Sequence, residues 1–214
     1  QFICEVKKES PSKGLIAAHF PYVDIAKEYE AAGAAAISVL TETDYFLGDD
    51  RYLRQIYEAV QTPLLRKDFT VDAYQIYQAK TLGASAVLLI CAILDEKRIR
   101  SFIEICDSLG MSALVEAHDA EEVRMADCAG ARIIGVNNRN LKDFTVDIGN
   151  SLRLRELVPG DTLFVAESGI STPEDIRALR EGGVNGVLIG ESLMRAKDKK
   201  AMLDYLRGKS DDTN

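Results

Sequence analysis

The chain has 214 residues, 47% of them hydrophobic and 28% charged, which suits one large water-soluble domain and lies well away from disordered composition. A formal charge of -8 excludes a broad basic field for nucleic-acid backbones or anionic lipid, so an anionic substrate would need a local positive pocket. No apolar stretch approaches the roughly 18 residues of a membrane span and nothing at the N-terminus reads as a signal peptide, so a cytoplasmic enzyme is expected, with neither a membrane nor a nucleic-acid partner.

Apolar runs rich in leucine or β-branched residues fall near 2–6, 36–40, 63–66, 85–90, 112–116, 132–136, 162–166 and 185–189, and each predicts a strand. Stretches of helical period lie between them, among them 24–33, 74–83, 96–110 and 173–183. Gly33, Gly83, Gly110, Gly130 and Gly182 or Gly183 stand where a helix must end in a left-handed turn before the next strand. Thr172 is a plausible N-cap before Pro173, with Glu174 and Asp175 complementing the helix dipole. Such repeated βα units, with no Gly-x-Gly-x-x-Gly turn after an early strand, predict an α/β fold: a (β/α)8 TIM barrel forming one domain over 1–208, with a polar tail at 209–214.

Cys4, Cys91, Cys106 and Cys128 lack paired spacing and read as buried thiols in a reducing compartment. His19 and His118 are far apart, so a histidine zinc site lacks ligands; carboxylates can hold magnesium, but nothing demands a metal.

The ends of the predicted strands carry the chemistry. Glu5 and Lys7, Lys67, Glu116, Asn137 and Glu167 each follow an apolar run, and in a closed parallel barrel all carboxyl ends of strands open on one face. Lys67 suits a proton donor, a Schiff-base nucleophile or an anion anchor, and residue type does not choose among them. Glu5 and Glu116 are carboxylates whose pKa partial burial would raise, fitting them to move protons. Asn137, Asn138 and Arg139 offer amides and a guanidinium fork for a carboxylate or phosphate, with a turn role open for one asparagine. His118 is read as capping the following helix and is left outside the site. Ser168 and Gly169, and the run through Gly190 toward a short helix, provide two turns whose backbone amides can approach a phosphate.

Taken in order, CEVKKESPSKG (4–14), ISVLTETDYFLG (37–48), LLRKDF (64–69), LVEAH (114–118), IIGVNNRNL (133–141), AESGIST (166–172) and GVLIGESLM (186–194) resemble indole-3-glycerol-phosphate synthase of tryptophan biosynthesis. The resemblance implies a carboxy-lyase without cofactor or metal that closes the indole ring of 1-(2-carboxyphenylamino)-1-deoxyribulose 5-phosphate with loss of carbon dioxide and water. It implies Lys67 as general acid on the ribulose carbonyl, Glu116 as acid or base in the dehydration, and Glu5, Asn137 and Lys7 as polarising and orienting groups. Ser10 and Arg139 would meet the anthranilate carboxylate, Glu167 a substrate hydroxyl, and Phe46, Phe69 and Leu188 the aromatic ring. Ser168, Gly169, Gly190 and Glu191 would hold the phosphate, Glu191 through its amide because its side chain would repel it.

The family usually carries an N-terminal extension that covers the barrel mouth, and the expectation from this sequence is that it is lacking. A monomer is expected, with fusion to or association with another tryptophan-pathway enzyme as the open alternative. A sugar-phosphate isomerase would keep the phosphate turns but place its acid and base elsewhere, and a noncatalytic ligand-binding barrel would not need Glu5, Lys67, Glu116 and Asn137 together.

Overall fold

Eight short strands alternate with helices along the chain in a computed structural model that describes residues 1–140 and 143–209. Leu141, which ends the IIGVNNRNL run, and residues 210–214 of the predicted tail lie outside the described residues. The barrel strands are β1 (Phe2–Val6), β2 (Ala36–Leu40), β3 (Leu64–Lys67), β4 (Ala86–Ile90), β5 (Ser112–Ala117), β6 (Ile133–Asn137), β7 (Leu163–Glu167) and β8 (Gly186–Ile189). Each pairs in parallel with its neighbour in sequence, and β8 closes on β1 through Phe2 opposite Val187 and Cys4 opposite Ile189. Closure leaves no free sheet edge and fixes every strand's carboxyl end on the same face.

The helices are α1 (Tyr22–Ala31), α2 (Asp50–Tyr57), α3 (Ala73–Thr81), α4 (Glu96–Ser108), α5 (Ala120–Cys128), α6 (Gly149–Arg155), α7 (Pro173–Glu181), α8 (Glu191–Arg195) and α9 (Lys199–Leu206). Local chemistry starts α7 as the sequence implies: the Thr172 hydroxyl accepts from the Asp175 amide, the Asp175 carboxylate accepts from the Thr172 amide, and Pro173 needs no partner at the first helical position. Of the two glycines after α7 it is Gly183, at φ 79, that makes the left-handed turn, whereas Gly182 keeps an ordinary φ of -76.

Two apolar layers hold the fold. Leu65, Leu88, Ile90, Leu114, Val165 and Leu188 form a cluster inside the barrel. A larger layer joins the outward faces of the strands to the helices, with Ile37, Val115, Ile134 and Phe164 among its fully buried members. The buried strands therefore read as near-continuous apolar runs, as parallel strands covered on both faces must.

Two features of the fold itself differ from the sequence reading. A two-stranded hairpin, Glu9–Ser10 against Gly14–Leu15, folds the segment after β1, where no strand was expected. Cys128, expected to be buried, is exposed at the end of α5, while Cys4, Cys91 and Cys106 are buried. Phe164 is fully buried, with the Arg155 guanidinium 5.7 Å from its ring centre. Phe164→Ala should cost about 3–5 kcal/mol of unfolding free energy in a urea titration.

Candidate active site at the barrel mouth

Strand periodicity of two residues decides what reaches the mouth. Leu65, Leu114, Val165 and Leu188 fill the barrel interior, and the residues two further along are Lys67, Glu116, Glu167 and Gly190. Glu5 and Lys7 follow Ile3 on β1 by the same step.

These residues form one charged cluster. Lys67 Nζ lies 3.6 Å from Glu116 Oε2 and 3.7 Å from Glu167 Oε2. Lys7 Nζ pairs with Glu5 Oε2 at 2.5 Å. Asn137 Nδ2 donates to Glu116 Oε1 at 3.4 Å while its Oδ1 accepts from the Arg139 amide at 3.0 Å, so the side-chain amide is oriented from both ends. His118 Nε2 approaches Glu116 Oε1 to 3.3 Å, whereas Lys67 lies nearest Oε2, and the His118 contact is not an aligned hydrogen bond.

Burial and charge act against each other throughout the cluster. Burial alone would depress the Lys67 ammonium, but Glu116, Glu167 and Glu5 outweigh it and push the pKa above the ordinary lysine range. A Schiff base needs the neutral amine, which these surrounding carboxylates disfavour. Burial would raise Glu116, but Lys67 and then His118 hold it below the usual carboxylate range. Glu5 is likewise held low against its burial, by Lys7 and Lys67. Glu167 goes the other way: burial and then the Glu116 charge raise it, and Lys67 offsets only part. Two carboxylates sharing one ammonium thus split, one kept ionised and one inclined to keep its proton.

Glycines make the space. A Cβ on Gly135 would run into Glu167 Oε1 and lie 3.2 Å from Leu114 Cδ1, so only glycine on β6 lets the Glu167 carboxyl lie across it. That Oε1 is buried and has no hydrogen-bond partner, which leaves it available to a substrate group. A Cβ on Gly190 would meet Glu5 Oε2 and come within 2.9 Å of Lys7 Nζ, so the turn after β8 packs directly on that ion pair.

Outside the barrel wall, Arg66 fixes the end of β3. Its buried guanidinium reaches Asp50 at 2.9 Å, Asp68 at 3.3 Å, the Thr41 hydroxyl at 3.1 Å and the Gln75 carbonyl at 3.1 Å. Thr41 donates in turn to Asp68 at 2.6 Å. This fork ties β2, β3, α2 and α3 around Lys67.

A cavity of about 920 Å³ opens above the cluster, within the range of small-molecule sites. Its wall includes Glu5, Lys7, Ser10, Lys67, Asn137 and Arg139, together with Phe46, Glu167 and Leu188. Glu116 does not reach the wall but lies beneath Lys67 and Asn137, 4% exposed. Phe69 stands near Phe46 with ring centres 6.5 Å apart and is partly exposed, so it belongs to the rim.

Ser168 and Gly169 adopt successive left-handed conformations, φ 69 and φ 79, and with Gly190 and Glu191 line one end of the cavity. Ser168 is held there by Asn138, whose Nδ2 donates to its carbonyl at 3.2 Å and whose Oδ1 accepts from Ser151 Oγ at 2.7 Å. Asn137, whose Oδ1 accepts from the amide two residues on, makes the local turn contact, while Asn138 ties the end of β6 to the Ser168 turn. The Glu191 carboxylate is engaged by Arg195 at 3.2 Å and Lys13 at 3.6 Å, and both cations line the cavity. Lys13, Ser192 and Arg195 were not singled out in the sequence, where nothing marks them apart from other surface residues.

His118 is the principal correction. Asp119, not His118, caps α5 by accepting from the amides of Glu121 and Glu122. The signal was present: His118 is two residues beyond Glu116, hence on the same side of the strand line.

Gly135→Ala is expected to displace the Glu167 carboxyl in a crystal structure and to cost about 1–3 kcal/mol in unfolding experiments. His118 has its pKa raised to about 10 from 6.5: burial lowers it, but Glu116 and Glu122 raise it more. A raised folded-state pKa supplies stability in full below the unfolded value and loses it as pH climbs through the folded one. The unfolding free-energy gap between wild type and His118→Gln should therefore be widest below about pH 6.5 and shrink toward pH ~10 in urea titrations.

Comparison with known proteins agrees with this geometry. A sequence model described as indole-3-glycerol phosphate synthase matches residues 1–206. A protein of that name from Ruminiclostridium cellulolyticum is 63% identical over 97% of this chain and 80% of its own length. Another from Lachnoclostridium phytofermentans is 62% identical over 96% of this chain and 76% of its own. Among solved structures, a 3-hexulose-6-phosphate synthase superposes with a TM-score of 0.78 at 15% identity, covering 98% of this chain and 99% of that one, a likeness of fold alone. The chain belongs to the indole-3-glycerol phosphate synthase family, decarboxylating lyases of tryptophan biosynthesis.

Proposed function

We propose that the barrel mouth carries out the ring closure of 1-(2-carboxyphenylamino)-1-deoxyribulose 5-phosphate by the following division of labour. The sugar phosphate is held through the amides of Ser168, Gly169, Gly190 and Glu191, with Lys7 adding positive charge beside Gly190. The anthranilate carboxylate meets Ser10 and Arg139, its ring lies among Phe46, Phe69 and Leu188, and a sugar hydroxyl bonds to Glu167. Holding a flexible chain at both ends brings the aromatic carbon onto the ribulose carbonyl, a gain that is largely entropic.

As that carbon attacks, Lys67 gives its proton to the carbonyl oxygen, which becomes a hydroxyl. The bond to the carboxyl carbon then breaks, carbon dioxide leaves, and its electron pair restores the aromatic ring. The new hydroxyl departs as water after taking a second proton, and a base removes a proton from the carbon next to nitrogen to complete the indole. Glu116 serves this dehydration as acid or base, with Glu5 and Asn137 orienting and polarising the site.

The observation that carries the reading is Lys67 held as a cation between Glu116 and Glu167 at the base of the cavity. The cluster keeps a proton where the carbonyl oxygen must receive one and keeps the lysine from acting as a nucleophile. Preorganised charges of this kind act strongly because the pocket is partly closed to water.

We further read the protein as a cytoplasmic monomer. This rests on acidic composition and unpaired thiols, and sedimentation of the purified protein tests the monomer. Lys67→Ala should reduce the appearance of indole fluorescence from the substrate by about 10²–10⁴-fold, with far-UV circular dichroism unchanged. Wild-type turnover in that variant removes Lys67 from the mechanism.

A further inference from the structure

Among the described residues five cations line the cavity, Lys7, Lys13, Lys67, Arg139 and Arg195, and their carboxylate partners decide which have charge left for a ligand. Lys7 is held by Glu5, and Lys67 lies between Glu116 and Glu167. Arg139 donates to the Phe144 carbonyl at 3.2 Å and pairs with no carboxylate among the described residues. Lys13 and Arg195 share a single carboxylate oxygen, Glu191 Oε1, at 3.6 Å and 3.2 Å. Asp147, the remaining acidic residue of the wall, is covered by Arg153 at 2.7 Å and by the Gly149 amide at 2.9 Å. Unmatched positive charge therefore stands in two places, at Arg139 and at the trio of Lys13, Glu191 and Arg195. The substrate assigned above is anionic at two ends, and Arg139 is already placed with the aromatic carboxylate. The trio is left for the phosphate.

Its position agrees. The Glu191 amide is one of the groups assigned to the phosphate, and Lys13 Nζ lies 3.6 Å from the carboxylate of that same residue. The hairpin after β1 brings Lys13 there. Its amide donates to the Ser10 carbonyl at 3.2 Å, Gly14 follows at φ 62, and the Lys8 carbonyl fastens the base by accepting from the amides of Ile16 and Ala17 at 2.9 Å and 3.1 Å. Ser10 and Lys13 thus stand at the two ends of one turn, both on the cavity wall. Arg195 comes from the end of α8, four residues after Glu191, a spacing that lets it reach back along the helix.

We propose that Lys13 is a phosphate-binding residue and that Arg195 is a positioning residue that frees it by keeping the Glu191 charge paired. The inference rests on the reading that the phosphate sits at the amides of Ser168, Gly169, Gly190 and Glu191. A phosphate dianion at those amides offers Lys13 more negative charge than a carboxylate already shared with Arg195, and the flexible lysine stem lets the ammonium turn to it. Arg195 is closer to Glu191 and on the same helix, so it stays with that carboxylate and weakens its repulsion of the dianion. Without Arg195, Glu191 competes with the phosphate for Lys13. The side chains of Lys13, Glu191 and Arg195 are 42%, 32% and 51% exposed, so water and salt screen these pairs and each contribution is modest.

The test compares the phosphorylated substrate with the same compound lacking its phosphate, by indole fluorescence, and measures competitive inhibition by inorganic phosphate. Lys13→Gln should lower the ratio of kcat/KM between the two substrates by about 10-fold, through KM rather than kcat, and raise the Ki of inorganic phosphate by a similar factor. Lys13→Arg should restore most of both. Arg195→Gln should raise KM for the phosphorylated substrate by about threefold, and adding Glu191→Gln should remove that rise, because no carboxylate is then left to draw Lys13 away. Equal losses on both substrates in Lys13→Gln, an unchanged Ki for inorganic phosphate, or an Arg195→Gln effect that persists beside Glu191→Gln overturns the proposal. If Lys13→Gln behaves as wild type while wild type still discriminates between the substrates, only the role of Lys13 fails. A wild type that treats both substrates alike and is not inhibited by inorganic phosphate removes the phosphate reading beneath it as well.

Discussion

Lys67 is enclosed by carboxylates that bulk water screens poorly: Glu116 and Glu167 within 4 Å, and Glu5 adding its field from β1. Removing such charges from water costs several kcal/mol per ion, and close pairing offsets that only when the geometry is good. The rest of the structure supplies the geometry. Barrel closure fixes the strand ends, Gly135 gives the Glu167 carboxyl its place, and the Arg66 fork holds the end of β3 from outside. Together these contacts keep a proton-bearing ammonium at the floor of a cavity.

The cluster also sorts its own acids and bases. Glu116 has a cation on either side, Lys67 and His118, and stays ionised; Glu167 has more carboxylate than cation around it and leans toward keeping its proton. Three residues of one chemical type thereby separate into two working states: Glu5 and Glu116 are held ionised, and Glu167 is inclined to keep its proton. Separation of pKa values by environment is how a fold assigns acid and base at one pH.

The opposite end of the cavity depends on backbone rather than charge. Ser168 and Gly169 turn left-handed in succession, and Asn138, buried and fully engaged, holds that turn to the end of β6. The Glu191 carboxylate is turned toward Arg195 and Lys13, so its charge is met by two cations at that end of the cavity. Two ends with different physics suit a substrate with a phosphate at one end and an aromatic acid at the other.

Much of this was legible in the sequence. Apolar runs and glycine-closed helices locate all eight barrel strands within a residue or two, because a parallel strand covered on both faces must be continuously apolar. Residues at strand ends marked the mouth because closure leaves them nowhere else to point. The sequence places His118 at a helix cap because capping is a local pattern, whereas its contact with Glu116 and Glu122 depends on a ring orientation that no local pattern carries. Lys13 and Arg195 carry no sequence signal because the hairpin after β1 and the turn after β8 come together only in the folded chain. The sequence determined which residues face the mouth, through a period of two and a closed ring of strands. Tertiary structure alone decided how those charges pair and which carboxyl keeps its proton, since that follows from distances of 2.5 to 3.7 Å between residues far apart along the chain.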